Sequence, residues 1–373
     1  MRTMGRVGLR GWATSVLLLG IAISFPARAH EKWFTDSRNF PVNWADVLSL
    51  RTLLVVVAVG VGLVATYALD TLLRKVGTRT QRARVTHATQ EFHPRGPALE
   101  RLFAFVPLLV GLHAAAPLLV SGLQLQLFAA NLNLPRNIFG GLMALAQITV
   151  ALSFVYGALT RVFGLVLVAL VPLGCLFFSP AYVLEHLDFA GVGIFMYILG
   201  RGPYSVDALI GTLSQPARPL VPYAVPALRV LTGAAIVVLG FTEKIWNEQL
   251  AQSFLAYQDF NFARSLGFTD ELFILAAGVA EVLVGAVLIS GKLTRLVIAV
   301  AWIPFNLTLP YLGWVELVGH FSIYGTMVVL LVWGPKADLS PYLQALSHGK
   351  SDEHSGKANA ATVPSGEAAG PAA

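Results

Sequence analysis

Long apolar runs, separated by short polar or charged segments, dominate the chain. A helix that crosses a bilayer needs about 20 mostly apolar residues, and nine runs approach or reach that length. They fall at residues 50–72, 101–121, 138–157, 162–179, 187–200, 227–243, 272–290, 295–312 and 316–333. The fifth run is the shortest, and a start near Tyr182 would lengthen it. The pattern predicts an all-α, polytopic membrane protein with about nine transmembrane helices.

Composition agrees with this pattern. Of 373 residues, 56% are apolar and 12% are charged, whereas a soluble domain carries about 25% charged residues. A water-soluble protein is therefore excluded. The single cysteine, Cys175, rules out a disulfide framework or a CxxC redox pair within the chain. The sequence has no GxGxxG, Walker or haem-attachment motif, so it does not indicate a nucleotide-driven or flavin mechanism.

The two ends of the chain differ from its apolar middle. In residues 1–29, three arginines precede a short apolar core, and the segment ends in Ala-Arg-Ala, which is the pattern of a signal peptide. Because the core of about 13 residues is shorter than a span, we expect cleavage after Ala29; an uncleaved first helix is the alternative. The stretch from His348 onward is rich in Ala, Gly, Ser and Pro and predicts a disordered tail.

The segment between the first two apolar runs is strongly basic. Residues 74–101 contain seven Arg and Lys residues against Glu91 and Glu100. Basic loops remain in the cytoplasm, so the mature N-terminus is predicted to lie outside a bacterial inner membrane and the C-terminus inside. A nucleic-acid partner is not favoured, because this juxtamembrane loop is short and lacks interleaved aromatic residues.

Two parts of the chain repeat one another. The stretch AQITVALSFVYGALTR at 146–161 shares six of sixteen residues with AEVLVGAVLISGKLTR at 280–295, and Gln147 stands where the second copy has Glu281. Further on, YVLEHLDFAGVG pairs with WVELVGHFSIYG and sets Asp188 opposite His320. These windows predict two four-helix modules; since four is even, the copies insert as parallel repeats.

Upstream of these windows, Arg101 and Arg229 each open a helix that carries a glycine further along, Gly111 and Gly240. The predicted organisation is a signal peptide (1–29), an outer segment with the first transmembrane helix and the basic cytoplasmic loop (30–98), a first module (99–203), a cytoplasmic linker (204–226), a second module (227–335) and a largely disordered cytoplasmic tail (336–373).

The second module carries a family resemblance. The runs RVLTGAAIVVLGFTEKIW, AEVLVGAVLISGKLTR and GHFSIYG together resemble the DoxX and DoxD-like membrane proteins. The resemblance covers residues 227–335 and, more faintly, 99–203. It implies a four-helix bundle in each module. It also implies a place in electron transfer to quinone, because the family includes the quinone-linked subunit of thiosulfate:quinone oxidoreductases; many of its members have no assigned role.

Glu281 is the leading candidate for chemistry. A helix that begins at Leu272 would bring Glu281 about 13 Å deep, near the bilayer midplane. Charged groups at that depth are costly and usually face a bundle interior or a cavity, where they mark function. A carboxyl group there suits a proton donor or acceptor for a carrier such as a quinol. The alternative is a polar network that only holds helices together.

Other polar residues of the second module are expected to form a funnel that descends from the outer surface to Glu281. His320 is assigned to catalysis with Glu281, and four residues are assigned to substrate binding: Glu243, Lys244, Asn306 and Glu316. Glu316 and His320 are four positions apart and therefore share a helix face. In the first module Gln147 replaces the carboxylate, which suggests a structural or specialised copy.

Metal and haem binding have little support in the sequence. Cleavage after Ala29 would give His30 an amine and an imidazole for one ion, and copper would be suited if His186 or His320 joined it. Two aligned ligands are too few for a signature, and a membrane-surface segment is the alternative. His113 and His320 could ligate a haem only on facing helices; a hydrogen-bonded structural His113 is favoured.

The sequence leaves several classes of function open. One is a membrane subunit of a quinone-linked oxidoreductase, which passes reducing equivalents from an outer donor, such as a sulfur compound, to quinone and needs a protein partner. The others are a small-molecule transporter or exporter, and a non-catalytic membrane anchor for a redox partner. The segment 246–271 alternates aromatic and polar residues and is expected to be an interfacial lid or a docking surface. The sequence does not indicate the oligomeric state.

Overall fold

A computed structural model describes residues 39–82, 97–210, 215–259, 261–307, 309–335, 339 and 342. Within these ranges the chain is helical, and the extended segments amount to one isolated bridge between Gln126 and Asn133. The expected all-α class is confirmed. The predicted signal peptide, most of the basic loop and most of the tail lie outside the described residues.

Twelve α-helices follow one another along the described chain. They are α1 (Leu50–Arg82), α2 (Pro97–Leu123), α3 (Ile138–Tyr156), α4 (Thr160–Gly174), α5 (Pro180–Leu184), α6 (Leu187–Leu199), α7 (Val206–Ile210), α8 (Val221–Leu239), α9 (Glu248–Gln258), α10 (Asp270–Ser290), α11 (Thr294–Leu307) and α12 (Leu309–Val332). A π-helical turn, Gly240–Ile245, extends α8. Gly313, with φ +72°, kinks α12 near its start.

Five helical segments are long and apolar enough to cross a membrane: Leu50–Lys75, Leu102–Leu123, Ile138–Tyr156, Arg218–Ile245 and Asp270–Ser290. The chain therefore has the character of a membrane protein. The other four predicted spans correspond to shorter apolar helices: Thr160–Gly174, Leu187–Leu199, Thr294–Asn306 and Glu316–Val332. Prolines or glycines lie within or beside several of them, and these residues interrupt helical hydrogen bonding.

The first half of the bundle, residues 97–210, and the second half, residues 221–335, interlock. Within each half, neighbouring helices pack in pairs: α2 on α3, α4 on α6, α8 on α10 and α11 on α12. Between the halves, α2 packs on α12 and α6 packs on α8. The first helix of each half thus lies against the last helix of the other, and one apolar core runs through both.

Glycines set the closest helix approaches. A Cβ added at Gly233 on α8 would lie 2.7 Å from the carbonyl oxygen of Gly285 on α10. A Cβ at Gly164 on α4 would lie 2.7 Å from the carbonyl oxygen of Gly193 on α6. Both distances are too short for a real side chain, so these backbones meet only because the four positions lack one.

The two halves also share local details 134 positions apart. Arg161 Nε donates to the carbonyl of Tyr197 at 2.8 Å, and Arg295 Nε donates to the carbonyl of Leu331 at 3.0 Å. Glycines with positive φ recur at the same spacing: Gly157 and Gly291 at +69° and +71°, and Gly200 and Gly334 at +68° and +83°.

One end of the bundle, here called the α9 end, carries the segment that the sequence analysis interprets as a lid. α9 buries Ala251, Phe254 and Leu255 against Ile274 of α10 and turns its polar side outward. The start of α1 joins this end through an ion pair between Arg51 and Glu248. The predicted amphipathic segment is thus a short helix seated on α10.

Leu339 and Tyr342 extend the core beyond the predicted boundary at 335. Both side chains are buried, and the hydroxyl of Tyr342 lies 3.3 Å from the carbonyl oxygen of Leu199. The ring of Tyr342 packs 5.6 Å from that of Trp333. Tyr342, one of the two described residues of the segment assigned to the tail, therefore contacts the first half of the bundle.

Candidate functional site

The site begins where α8 widens into the π turn. Gly240 opens this turn, and a Cβ there would lie 2.8 Å from Val282 of α10, so the glycine allows α10 to come close. The turn holds three consecutive polar residues, Thr242, Glu243 and Lys244, in or near the interior. Single π turns inside α-helices are frequent at functional sites because they redirect side chains.

Lys244 reaches from this turn to Glu281. Its Nζ lies 3.0 Å from Glu281 Oε1, and Glu281 is the twelfth of the 21 residues of α10. The second oxygen, Oε2, is buried and has no hydrogen-bond partner among the described residues. The Glu281 side chain as a whole is 36% exposed. The carboxylate is therefore held by one oxygen at mid-helix, with its stem at the bundle surface.

Glu243 points to the other side, into a cavity between the two halves. Its Oε2 lies 3.9 Å from Lys244 Nζ, and it lines a cavity of about 30 Å³ together with Glu185 and Asp188 of the first half. A cavity needs about 10–15 Å³ to hold one water molecule. This space is therefore large enough for water and too small for an organic solute.

Two hydroxyl groups from the second half hold the carboxylates of the first half. Thr242 Oγ1 donates to Glu185 Oε1 at 2.6 Å, and Ser322 Oγ donates to Asp188 Oδ2 at 2.6 Å. All four side chains are buried. Short hydrogen bonds to a carboxylate are stronger than neutral ones, so these two contacts bind the halves together beside the cavity.

Glu316 and His320 form a neighbouring pair on α12, as their spacing predicts. His320 Nε2 lies 3.5 Å from Glu316 Oε1, and both side chains are buried. The edge of the His320 ring packs against Phe305 of α11, with 4.7 Å between centroids. The pair adds an imidazole and a carboxyl group to the same polar region as Lys244 and Glu243.

Two residues assigned to the site or its surroundings bond within their own helices. The amide of Asn306 donates to the carbonyl of Trp302 at 2.7 Å, four positions earlier. His113 Nδ1 lies 2.7 Å from the carbonyl oxygen of Leu109, and its ring packs edge-on against Phe321. His113 thus has the hydrogen-bonded structural arrangement that the sequence analysis favours.

Gln147 has a different environment from Glu281. It is fully buried; its Nε2 lies 2.9 Å from both the Leu118 carbonyl oxygen and Ser121 Oγ, and its Oε1 accepts from Phe128 N at 2.8 Å. A further contact, 3.1 Å long, reaches the carbonyl oxygen of Gln126. This side chain fastens the 124–137 segment to α2 and α3, which is a structural task.

His30 of the proposed copper site lies outside the described residues. His186 lines the cavity between the halves and packs near Phe128. Among the residues that the structure describes, no group of three or more His, Cys, Asp and Glu side chains could hold a metal ion.

Glu243, Lys244 and Glu281 are recognisable from the sequence as site residues, whereas the hydroxyl groups of Thr242 and Ser322 are not among the predicted ones. Serine and threonine are common inside membrane helices, so neither residue stands out alone. Ser322 follows Asp188 by 134 positions, which is also the offset of the Arg161 and Arg295 hydrogen bonds. Aligning the copies at that offset would have placed the two partners opposite each other.

Comparison with known proteins identifies no relative of this chain. No protein family, no curated protein and no solved structure matches the chain.

Proposed function

We propose that the protein is a membrane subunit of a quinone-linked oxidoreductase, in which Glu281 handles a proton for quinone. The observation that carries the proposal is the Lys244–Glu281 pair, which lies at the middle of an apolar helix and leaves one buried carboxylate oxygen without a hydrogen bond among the described residues. Ionisable residues at bilayer depth usually serve ion or proton transfer. The resemblance to DoxX and DoxD-like proteins points to the same class.

The exposure of Glu281 favours a reactant that is soluble in lipid. Its side chain keeps 36% of its surface open, and the adjacent Ala280 is exposed as well. In a bilayer this part of α10 would meet hydrocarbon, so a quinone headgroup would reach the carboxyl group from the side. A water-soluble substrate would instead need an aqueous space, and the cavity between the halves measures only about 30 Å³.

The reaction we propose balances electrons and protons. An outer donor, of the class of reduced sulfur compounds, loses two electrons, and quinone takes up two electrons and two protons to become quinol. Glu281 delivers the two protons one after the other and takes up a proton from solvent water after each transfer, and the His320–Glu316 pair lies toward the entrance. A protein partner supplies the donor site and the electron path, docked on the outer face of the α9 end.

The architecture we propose keeps nine transmembrane helices and two parallel modules, in an inner membrane with the α9 end outside. The shared arginine-to-carbonyl hydrogen bonds and the recurring positive-φ glycines support the duplication. From α3 to the end of α6 the offset they support is 134, which pairs His186 with His320 and Asp188 with Ser322. The pairing of Asp188 with His320 is therefore replaced.

The contacts of Gly240 revise a second pairing. A Cβ at Gly240 would meet Val282 and Glu281, and a Cβ at Gly122 would meet Ile148 and Gln147, their counterparts at the 134 offset. Gly122, rather than Gly111, is thus the partner of Gly240. The first helices of the modules are related by a shorter offset because the second module has the longer connection, which contains α9.

A transporter is the second candidate, and one observation favours it. The polar cavity lies between the two halves, and transporters built from repeats commonly bind substrate at that interface. Its volume of about 30 Å³ would suit only a small ion in the present conformation.

The test is the quinone content of gently purified protein. Denaturing extraction followed by mass spectrometry, with an oxidised-minus-reduced visible spectrum, would compare the wild type with Glu281→Gln. Glu271→Gln is the matched control, because Glu271 is an exposed residue in the first turn of the same helix. We expect stoichiometric quinone in the wild type and the control, and about tenfold less in Glu281→Gln, the effect of losing roughly one charge-assisted contact.

Quinone-free wild-type protein that retains native lipid would reject the redox proposal. Flux of a solute in vesicles without an electron acceptor, abolished by Glu281→Gln, would then support transport. If Glu281→Gln changes only stability, the protein is a membrane anchor.

A further inference from the structure

We propose that Lys244 and Glu243 carry protons between Glu281 and the cavity between the two halves, so that the cavity serves as the proton reservoir of the site. The inference rests on the proposed function and extends it, because it names the residues that return a proton to Glu281. It starts from the geometry of the π turn, which sends neighbouring side chains to opposite sides of α8.

The first step lies on the α10 side of that turn. Lys244 Nζ is 3.0 Å from Glu281 Oε1 and 3.9 Å from Glu243 Oε2. One ammonium group therefore lies between two carboxyl groups that face different spaces. An amine in this position exchanges a proton with either neighbour through a small movement of its flexible stem.

The second step lies in the cavity. Glu243 shares its lining with Glu185 and Asp188, and the volume of about 30 Å³ admits water. Thr242 and Ser322 hold these two carboxylates through hydroxyl groups that both donate and accept hydrogen bonds. Proton relays in membrane proteins commonly consist of carboxyl groups, hydroxyl groups and water molecules that contact one another.

Titratable groups from several elements face the region around Glu243. Glu185, His186 and Asp188 of the first half line the same cavity, and Lys244 lies beside Glu243 in its own turn. Glu281 of α10 and His320 of α12 interact with Glu243 electrostatically, and Glu316 pairs with His320. A proton that enters the cavity is therefore shared within this set, and Lys244 is the member that contacts Glu281.

The first half lacks the corresponding route. At the position of Glu281 it has Gln147, an amide that does not ionise and that is fixed by hydrogen bonds to α2 and to the 124–137 segment. The first half thus supplies Glu185 and Asp188 to the cavity, and the second half supplies Glu243, Lys244 and Glu281.

The test measures how fast the Glu281 carboxyl group exchanges its proton with solvent, which requires no electron donor. Infrared spectra of the protein in lipid films are recorded while H₂O buffer is replaced by D₂O, and the C=O band of protonated Glu281 is identified by its absence in Glu281→Gln. We expect the band to shift about a hundredfold more slowly in Glu243→Gln than in the wild type, the scale of a positioned proton-transfer group. Glu271→Gln, the exposed control on α10, should exchange at the wild-type rate.

Exchange rates are compared at pH values where the Glu281 C=O band has the same amplitude in each variant. A change in the ionisation of Glu281 is then not mistaken for slower exchange. Asp188→Asn, on the far side of the cavity, should also slow exchange and serves if Glu243→Gln fails to fold. Equal rates in the wild type and these variants would overturn the proposal, as would a Glu281 band missing at every pH. Quinone content is scored separately: its absence from the wild type rejects the oxidoreductase, whereas retained quinone with unchanged exchange rejects only the relay.

Discussion

At the scale of single residues, Gln147 and Glu281 occupy comparable helix positions but have different surroundings. Gln147 is fully buried, and its amide is bonded on both the nitrogen and the oxygen. Glu281 has one cationic partner and an oxygen with no hydrogen bond among the described residues. The exchange of amide for carboxylate could be recognised from the sequence. Lys244 is also expected near Glu281, but the hydroxyl groups that bond to the neighbouring carboxylates and amide come from other helices and could not be recognised.

Gln147→Glu should therefore destabilise the protein. The carboxylate cannot donate to the carbonyl of Leu118 or to Ser121, and its charge is buried, so we expect a loss of about 2–3 kcal/mol in the free energy of unfolding. Thermal unfolding of the purified protein in detergent measures the change. Gln249→Glu, at an exposed position of α9, makes the same substitution and should leave the midpoint unchanged. Equal stability of both variants would show that the Gln147 bonds are dispensable.

At the scale of helices, glycine positions decide which elements touch. The apolar runs predict where helices form, because periodicity and length are local properties. They do not predict the π turn of Gly240–Ile245, because this turn depends on how the end of α8 packs against α10. The fifth predicted span, 187–200, coincides with α6, whereas the alternative start near Tyr182 falls in the separate short helix α5. The close contact between Gly233 and Gly285 likewise cannot be predicted from the sequence, because it depends on which two helices pack together.

Gly285→Ala should weaken the packing of α8 on α10. The new Cβ would lie 2.5 Å from the carbonyl oxygen of Gly233, and backbone cannot move aside as a flexible side chain can. We expect a loss of about 1–3 kcal/mol, typical of overpacking, read as a lower unfolding midpoint. Gly60→Ala is the matched control, because a Cβ at that helical position meets nothing within 4 Å. A Gly285→Ala variant as stable as the control would contradict the close contact.

At the scale of the whole molecule, the chain combines an all-helical membrane bundle with a polar interior shared by its halves. The helical class and the apolar segments follow from hydropathy. The interlocking of α2 with α12 and of α6 with α8 does not, since a sequence with two modules is equally compatible with two separate bundles. The cavity carboxylates exist as a group only because the halves interlock.

Orientation is testable at the same scale. The positive-inside rule predicts that the α9 end lies outside. In a Cys175→Ser background, Tyr257→Cys on α9 should react with a membrane-impermeant thiol reagent in intact spheroplasts, whereas Arg218→Cys at the opposite end should react only after lysis. Both positions are exposed, so access depends on the side of the membrane. The reverse labelling pattern would invert the topology.

The hydrogen bond between Ser322 and Asp188 has an evolutionary consequence. Under the proposed duplication these residues occupy corresponding positions, so in an ancestral pair of identical modules each would have met its own copy. Two aspartates there would repel one another, and two serines would supply no charge. On that proposal, joining both modules in one chain lets the two positions change independently, one to an acid and the other to its hydrogen-bond donor. A symmetric pair would repeat the same side chain on both sides of its axis. In the single chain, a carboxyl group on one side can be paired with a hydroxyl donor on the other, and this carboxyl group can hold a proton.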